Sequence, residues 1–276
     1  MRARRIAFEA LLVAALSAAL LFLTLPIVAI FAEIPPGKLL DGLRSDVARD
    51  ALAVTVRTNL VANALILVVG TPAAYLLATR RFRGHAVVLT LVELPLVLPP
   101  AVAGIGLIAA FGSLGLVGEH VEAARVSVGT QAAVVMAVAY VASPFYIRPA
   151  VAAFASVDRS LLDAARTLGA GPARVFATVA VPLAGAGLGA GAALAFARGL
   201  GEFGATIMFA GSLRGVTQTL SLAVYDQLDA DFDVALAIGA LLVAVSAAVL
   251  LAVKVVPGWV RFASISTVRS GPSASA

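Results

Sequence analysis

Three ionisable residues fall within stretches apolar enough to lie in a membrane: Glu93, Arg198 and Glu202. A charge is costly in hydrocarbon, so such residues usually face a protein interior or a water-filled path. Arg198 and Glu202 are four residues apart, which places them on one face of a helix, where they can pair. Two interpretations of Glu202 stay open, since it either neutralises Arg198 or belongs to the polar lining or gate of a path. For Glu93 and for the charge of Arg198 we favour a structural role.

Other chemistry finds little support in the residues. His85 and His120 are the only histidines, and they fall in loops predicted on opposite sides of a membrane, so they cannot share a metal site. No cysteine is present, which excludes thiolate catalysis. No phosphate-binding loop occurs, because the only Gly-Lys pair is followed by Leu39. We therefore predict no catalytic residue, metal site or cofactor in this chain, and any work done with ATP must belong to a partner.

The elements that position these charges are membrane helices. Hydrophobic residues make up 61% of the chain, charged residues 13%, and the mean hydropathy is +1.03. A bilayer core of roughly 30 Å needs about 20 largely apolar residues per helix. Such runs predict an all-α membrane protein with six transmembrane helices, at 10–32, 58–79, 86–118, 126–147, 183–210 and 234–253. Pro95, Pro99 and Pro100 must bend or break the third helix.

The basic residues predict the orientation of these helices. When successive loops are assigned to alternate sides of the membrane, thirteen lysines and arginines lie on the same side as the termini and five lie on the opposite side. Both termini are therefore expected in the cytoplasm of a cell-membrane protein. The first run is too long for a signal peptide and has no small-residue cleavage pattern, so we expect a retained helix. The net charge of +5 is then an orientation signal, and no nucleic-acid partner is expected.

One membrane domain accounts for almost the whole chain. We assign residues 1–260 to it and expect the Ser-, Ala- and Gly-rich residues 261–276 to be a disordered cytoplasmic tail. Within the domain, residues 158–182 form a charged interruption between the fourth and fifth helices, on the cytoplasmic side.

This interruption has its own helix signals. Ser160 followed by Asp163 predicts a capping box that starts a helix over 161–168. Gly169 is expected to end that helix, and Pro172 to start a second short helix toward Val181. The apolar residues of the first helix exceed what a solvated loop requires. An interfacial helix on the membrane is one interpretation, but we prefer docking into a cytoplasmic partner, because the helix is short and its polar face is not strongly basic.

The same segment resembles the E-A-A-x-x-x-G-x9-I-x-L-P loop of binding-protein-dependent ABC importer permeases. The resemblance rests on Asp163-Ala164-Ala165, on Gly169 and on Val179, Val181 and Pro182 at the family's spacing, with Asp163 where glutamate is usual. In that family the loop is a coupling helix that sits in a cleft of the ATPase subunit. The resemblance thus implies that ATPase coupling involves Asp163, Ala164, Ala165, Leu168, Gly169 and Pro182.

Three further segments resemble molybdate permeases, and the similarity covers residues 50–255. They are "LPLVLPPAVAGIGL", "GEFGATIMFAG" and "TQTLSLAVY", the last with Ser221 where the family usually has proline. Sulfate and thiosulfate permeases are near relatives, and tungstate has the same size and charge as molybdate. The resemblance implies a type I ABC importer permease fold with a path or gate at Glu202, Phe203, Gly204, Thr206, Gln218 and Thr219.

The implied assembly has four kinds of component. It is a homodimer of this chain in the lipid bilayer, with two ABC ATPase subunits in the cytoplasm and an oxyanion-binding protein outside. The competing hypothesis from the residues is an ion-driven secondary transporter, which could use Glu93 and Glu202 as proton sites.

Overall fold

The computed structural model describes residues 2–118 and 128–268, and within those ranges the chain is helical with no strand. His120 therefore lies outside the described residues. We number the helices in chain order: α1 Arg2–Ala32, α2 Pro36–Arg44, α3 Asp46–Thr79, α4 His85–Val97, α5 Pro100–Phe111, α6 Gln131–Ala155, α7 Arg159–Thr167, α8 Pro172–Leu200, α9 Gly204–Phe209, α10 Leu220–Gln227 and α11 Phe232–Val268.

Within the described ranges, five helices are long and apolar enough to cross a membrane: α1, α3, α6, α8 and α11. The short helices α4 and α5 meet this test only as a pair, and they are bent by 118° relative to each other. The predicted break of the third span is confirmed. Its cause is the Pro99-Pro100 pair, since proline lacks the N–H that would continue the helix and holds the preceding Leu98 in an extended conformation. The part of the chain that the structure describes thus has up to six candidate spans, if the bent pair is taken as one.

The centre of the bundle is α6, which packs between α3 and α8. Small residues allow this close approach. A Cβ on Gly70 of α3 would lie 2.9 Å from the Tyr146 ring, and one on Gly191 of α8 would lie 3.2 Å from the Tyr146 carbonyl oxygen. Tyr146 is fully buried, and its hydroxyl lies 2.5 Å from that of Thr71. The three central spans therefore meet around one tyrosine.

The fifth span differs from its prediction at both ends. It begins at Pro172, where a second short helix was expected, because Pro172–Val175 continues through a π-helical turn, Phe176–Ala180, into Val181–Leu200. The predicted helix start at Pro172 is therefore confirmed, but the helix is continuous with the fifth span and not separate. Pro182 explains the turn, since proline inside a helix cannot donate to the carbonyl four residues earlier and crowds it, and a π-turn absorbs that mismatch. At the other end the helix stops at Leu200, ten residues before the predicted end.

The outer helices complete the fold. None of the apolar window of α1 is buried in the protein, and this helix packs beside α11. The last helix extends to Val268, so it includes the first part of the tail that we expected to be disordered, while residues 269–276 lie outside the described residues. The division into a domain at 1–260 and a tail at 261–276 stays a prediction.

Candidate functional site: an exposed elbow and a polar break

The first candidate region is an elbow, residues 158–172, formed by α7 and the turn into α8. Its helix begins earlier than predicted, at Arg159, because Asp158 is the N-cap and its carboxylate accepts the Ser160 N–H at 2.9 Å. The predicted capping box of Ser160 with Asp163 is wrong, since Ser160 already lies in the first turn and Asp163 pairs with Arg166 at 2.6 Å. The Ser160 N–H, then its hydroxyl, hold the pKa of Asp158 below its usual range.

The end of α7 is formed as expected. Gly169 adopts φ +84°, in the left-handed region that disfavours a side chain. Its N–H donates to the Arg166 carbonyl at 2.9 Å, and the Ala170 N–H donates to the Ala165 carbonyl at 3.0 Å. These two bonds satisfy the last carbonyls of the helix in a Schellman arrangement. Gly169 thus turns the chain sharply toward Pro172, the first residue of α8.

The elbow has one anchored face and one exposed face. Leu162 is 5% exposed and belongs to the same buried cluster as Phe154 and Val175, near the ends of α6 and α8. Leu168 is 88% exposed, and Leu161 is about half exposed. Both side chains are therefore available for contact with another protein. Asp163 and Ala164 are also exposed, and Ala165 is half-buried.

Three aromatic rings connect the base of the elbow to the membrane spans. Tyr75 of α3 lies 5.3 Å from Phe154 of α6 and 5.0 Å from Phe176, the first residue of the π-turn, measured between ring centroids. Phe154 and Phe176 are 6.3 Å apart. Leu162 belongs to the buried cluster that contains Phe154 and against which Tyr75 and Phe176 pack. A displacement of α7 therefore reaches α3, α6 and α8 through one packed group, because close-packed interiors transmit strain.

The second candidate region is a polar break, residues 201–206 together with 217–221, where α8 gives way to the short α9. The Glu202 side chain is 1% exposed. One carboxylate oxygen, Oε1, accepts the Ala205 N–H at 2.8 Å at the start of α9. The other, Oε2, lies 2.7 Å from Nη2 of Arg198, close enough for an ion pair but without hydrogen-bond geometry. The predicted pairing of Arg198 with Glu202 is thus confirmed, although Glu202 stands beyond the end of the helix.

Ser221 closes the break from the next segment. Its hydroxyl donates to the backbone carbonyl of Glu202 at 2.6 Å and lies 3.0 Å from the Thr219 hydroxyl. A proline at this position, usual in the resembled family, could form neither bond. Sequence reasoning recorded Ser221 only as a departure from a pattern, and that departure was the signal that could have identified it.

The break packs directly against the bend between α4 and α5. A Cβ on Gly204 would lie 2.5 Å from Cβ of Pro100, and one on Gly104 would lie 2.6 Å from Cβ of Met208. The segments "LPLVLPPAVAGIGL" and "GEFGATIMFAG", quoted separately above, are therefore two halves of one contact. Only glycine at position 204 permits this approach.

The other residues assigned to a path surround this contact within the protomer. Thr206, Gln218 and Thr219 are buried, and Phe203 is half-buried, with its ring 5.2 Å from that of Tyr225. The side-chain amide of Gln218 donates to Asp226 at 2.7 Å. The role of these residues in a path stays a prediction.

Glu93 lies apart from the break. Its carboxylate is 2.9 Å from Nε of Arg148, and both side chains are substantially exposed. The pair connects α4 to α6. This geometry suits the structural role favoured for Glu93, which stays a prediction.

The comparisons with known proteins agree on one family. The family model described as "Binding-protein-dependent transport system inner membrane component" matches residues 67–262. "Molybdenum transport system permease protein ModB" of Mycobacterium tuberculosis is 41% identical over 237 residues, which are 86% of this chain and 90% of that protein. A "Probable molybdenum ABC transporter permease protein" of Haloferax volcanii is 41% identical over 81% of this chain and 84% of its own length.

Solved structures share the fold at low sequence identity. A chain of the bacterial alginate ABC transporter, in complex with its alginate-bound periplasmic protein, gives a TM-score of 0.71 at 15% identity, covering 91% of this chain and 93% of that chain. A chain of the MetNI methionine ABC transporter, in an inward-facing conformation, gives 0.60 at 19% identity, covering 76% and 94%. The importer permease fold expected from the sequence is confirmed by these likenesses.

Proposed function

Because the chain belongs to the family of binding-protein-dependent transport system inner membrane components, we propose that it is the membrane permease of an ATP-driven importer of molybdate or tungstate. The observation that supports this most is the 41% identity to a molybdenum permease across 90% of that protein's length. As a permease of this family the chain is not an enzyme, and its partners include an ATPase and a binding protein. It is a multi-pass protein of the inner membrane.

The finer assembly is part of the proposal. Two copies of this chain enclose the path, and two ATPase subunits bind below, where both termini lie. The binding protein docks on the opposite side. The excess of arginine near the elbow supports this orientation, since Arg81, Arg159 and Arg166 line a cavity of ≈ 360 Å³ between α7 and the ends of α3 and α6.

The elbow couples ATP to the spans. Exposed Leu168 and Leu161 are placed to enter a cleft of the ATPase, and buried Leu162 joins them to the aromatic group of Tyr75, Phe154 and Phe176. When ATP closes the two ATPases, the elbows are drawn together and α3, α6 and α8 follow. The cavity then opens outward to receive the oxyanion from the binding protein, and hydrolysis returns it to the inward state.

Specific substrate choice can reside in the binding protein. The permease then needs only weak contacts, since a strong site in a path slows release. Sulfate or thiosulfate is the alternative substrate class. A direct measurement of uptake distinguishes it from molybdate and tungstate.

The test is uptake into vesicles that contain this chain, the ATPase and candidate binding proteins. We expect ATP-dependent uptake of molybdate and tungstate in preference to sulfate. Strong sulfate uptake without molybdate uptake would overturn the substrate. Uptake driven by a proton gradient in vesicles that hold this chain alone would overturn the importer itself.

A matched pair of variants tests the contact with the ATPase. Leu168→Asp places a charge on the exposed tip of the elbow, whereas Leu213→Asp places one on an exposed leucine of the loop after α9. We expect L168D to abolish co-purification with the ATPase and L213D to leave it unchanged. Equal recovery of the ATPase with both variants would contradict the docking role.

A further inference from the structure

A cavity of ≈ 110 Å³ lies beside the α4–α5 bend, at the level where the third span is broken. Apolar residues of α4, α5 and α6 form most of its wall, among them Pro95, Pro100 and Phe145. Arg198 is the only charged residue in the lining. An apolar wall with a polar group that fixes orientation is a feature that this small cavity shares with ligand sites.

The guanidinium of Arg198 has unused capacity. It carries five N–H donors, yet it forms no hydrogen bond with any residue in the described part of the chain. Its contact with Glu202 is an ion pair at 2.7 Å, and its Cζ lies 5.9 Å from the centre of the Phe145 ring. The side chain is 26% exposed. Its N–H donors are therefore available to water or to an anion.

Glu202 differs from Arg198 in this respect. Its carboxylate is almost completely buried and already caps α9 through the Ala205 N–H. Mutual neutralisation alone would favour a hydrogen-bonded pair sealed from solvent. Here the carboxylate is sealed and the guanidinium is left open to the cavity, so the pair is asymmetric. The carboxylate holds the cation in position and cancels part of its charge.

We propose that Arg198 is a transient contact for the tetrahedral oxyanion as it passes the α4–α5 bend, an inference that rests on the proposed function. The planar guanidinium can donate two parallel N–H bonds to two oxygens of a tetrahedral oxyanion, as it does to phosphate. Because Glu202 offsets the charge, the contact is weak enough for the anion to leave, as a path requires. No other residue in the cavity wall can donate to an anion in this way.

Arg57 provides a matched comparison. It is a basic residue of α3, at the edge of the predicted span 58–79, and its side chain is exposed and lines neither of the two cavities. If any intramembrane positive charge served the anion, Arg57 would do so equally. The cavity predicts that only Arg198 does.

The experiment isolates Arg198 in a background that lacks the ion pair. The complete transporter is reconstituted in vesicles, and molybdate uptake and ATP hydrolysis are measured for wild type, Glu202→Gln, the double variant R198Q/E202Q and Arg57→Gln. E202Q removes the charge that Arg198 balances and keeps an oxygen for the Ala205 N–H. We expect the double variant to import molybdate about tenfold more slowly than E202Q, with unchanged ATP hydrolysis, so that more ATP is spent per anion.

Each outcome decides the inference. Equal uptake by E202Q and R198Q/E202Q overturns it, because Arg198 then matters only as the partner of Glu202. An equal loss of molybdate uptake in R57Q also overturns the inference, since a position in the cavity wall would then give Arg198 no special role. Absence of ATP-dependent oxyanion uptake in wild type rejects the proposed function instead.

A further variant, Arg198→Lys, tests the proposal if the double variant does not assemble. Arg198→Lys keeps the charge and the pairing with Glu202 but loses the planar fork. We expect uptake to fall by about threefold at an unchanged rate of ATP hydrolysis. Uptake at the wild-type rate in R198K would then overturn the contact.

Discussion

The elbow and the polar break are held together in opposite ways. Contacts that shape the elbow join residues two to five positions apart, such as Asp158 with Ser160 and Ala170 with Ala165. Contacts that shape the break join distant segments, as where Gly204 meets Pro100 and Ser221 meets the Glu202 carbonyl. A surface that binds a partner protein can remain folded in water when it is stabilised by local hydrogen bonds. Non-helical backbone within a membrane protein needs the surrounding protein to satisfy it.

The comparison therefore separates stability from coupling. Changes at the break should lower the stability of the bundle, and transport with it. Changes at the elbow should impair transport while the bundle stays folded, because few tertiary contacts depend on the elbow's exposed face. Four substitutions, in order of expected effect, test this division.

Replacing Glu202 by alanine should have the largest effect. It removes the cap of α9 and leaves the Arg198 guanidinium without its partner. Breaking a buried pair costs about 3–5 kcal/mol, and partial exposure of Arg198 reduces this to about 2–3 kcal/mol. We expect a clearly lower thermal unfolding midpoint for the detergent-solubilised protein.

The matched control is Glu93→Ala, which breaks the more exposed pair with Arg148. Pairs of this kind contribute about 0–1 kcal/mol. E93A should therefore unfold close to the wild-type temperature. Equal midpoints for E202A and E93A would show that burial of Glu202 does not stabilise the break.

Replacing Gly204 by alanine should have the second-largest effect on stability. The new Cβ would meet Pro100 at 2.5 Å, so α9 or the α4–α5 bend must shift. Overpacking of this kind costs about 1–3 kcal/mol. Gly201→Ala is the control, since nothing lies within 4 Å of a Cβ there. A thermal midpoint of G204A equal to that of G201A would contradict the proposed contact between the two segments.

The elbow and the break also differ in how far the sequence predicts them. The turn at Gly169 and the break at Pro99-Pro100 follow from what glycine and proline do to a backbone, and both were confirmed. The pairing of Arg198 with Glu202 was confirmed as well, since a spacing of four residues is a local signal.

What the sequence could not predict depends on tertiary structure. Periodicity could not place the end of the fifth span at Leu200, because the apolar run continues to Ala210 and the break depends on contacts with distant segments, such as Gly204 with Pro100 and Ser221 with the Glu202 carbonyl. It also could not show that Arg198 faces a cavity, since the wall comes from three other helices. The N-cap was misassigned for a local reason, as Asp158 and Ser160 are both good caps.

Replacing Gly169 by valine should affect transport without affecting the bundle. A β-branched side chain is strained at φ +84°, by about 1–2 kcal/mol, although no neighbour would clash with it. We expect the C-terminal end of α7 to unfold locally, which relieves the strain, so that molybdate uptake falls by about tenfold with little change in the thermal midpoint. Gly171→Val is the control, since its φ of −67° suits any residue and its surroundings are also open. Similar uptake by both variants would show that transport does not require the left-handed backbone conformation at Gly169.

Replacing Asp158 by alanine should have the smallest effect, confined to the first turn of α7. The Ser160 N–H loses its acceptor, so the amides at 160–162 should exchange hydrogen faster, while Ser160→Ala should affect them less because it keeps the N–H bond to Asp158 and loses only the hydroxyl contact. Since the folded pKa of Asp158 lies below its usual range, the cap is complete above that range and is lost as the pH falls through the lowered value. Faster exchange in S160A than in D158A would restore Ser160 as the cap.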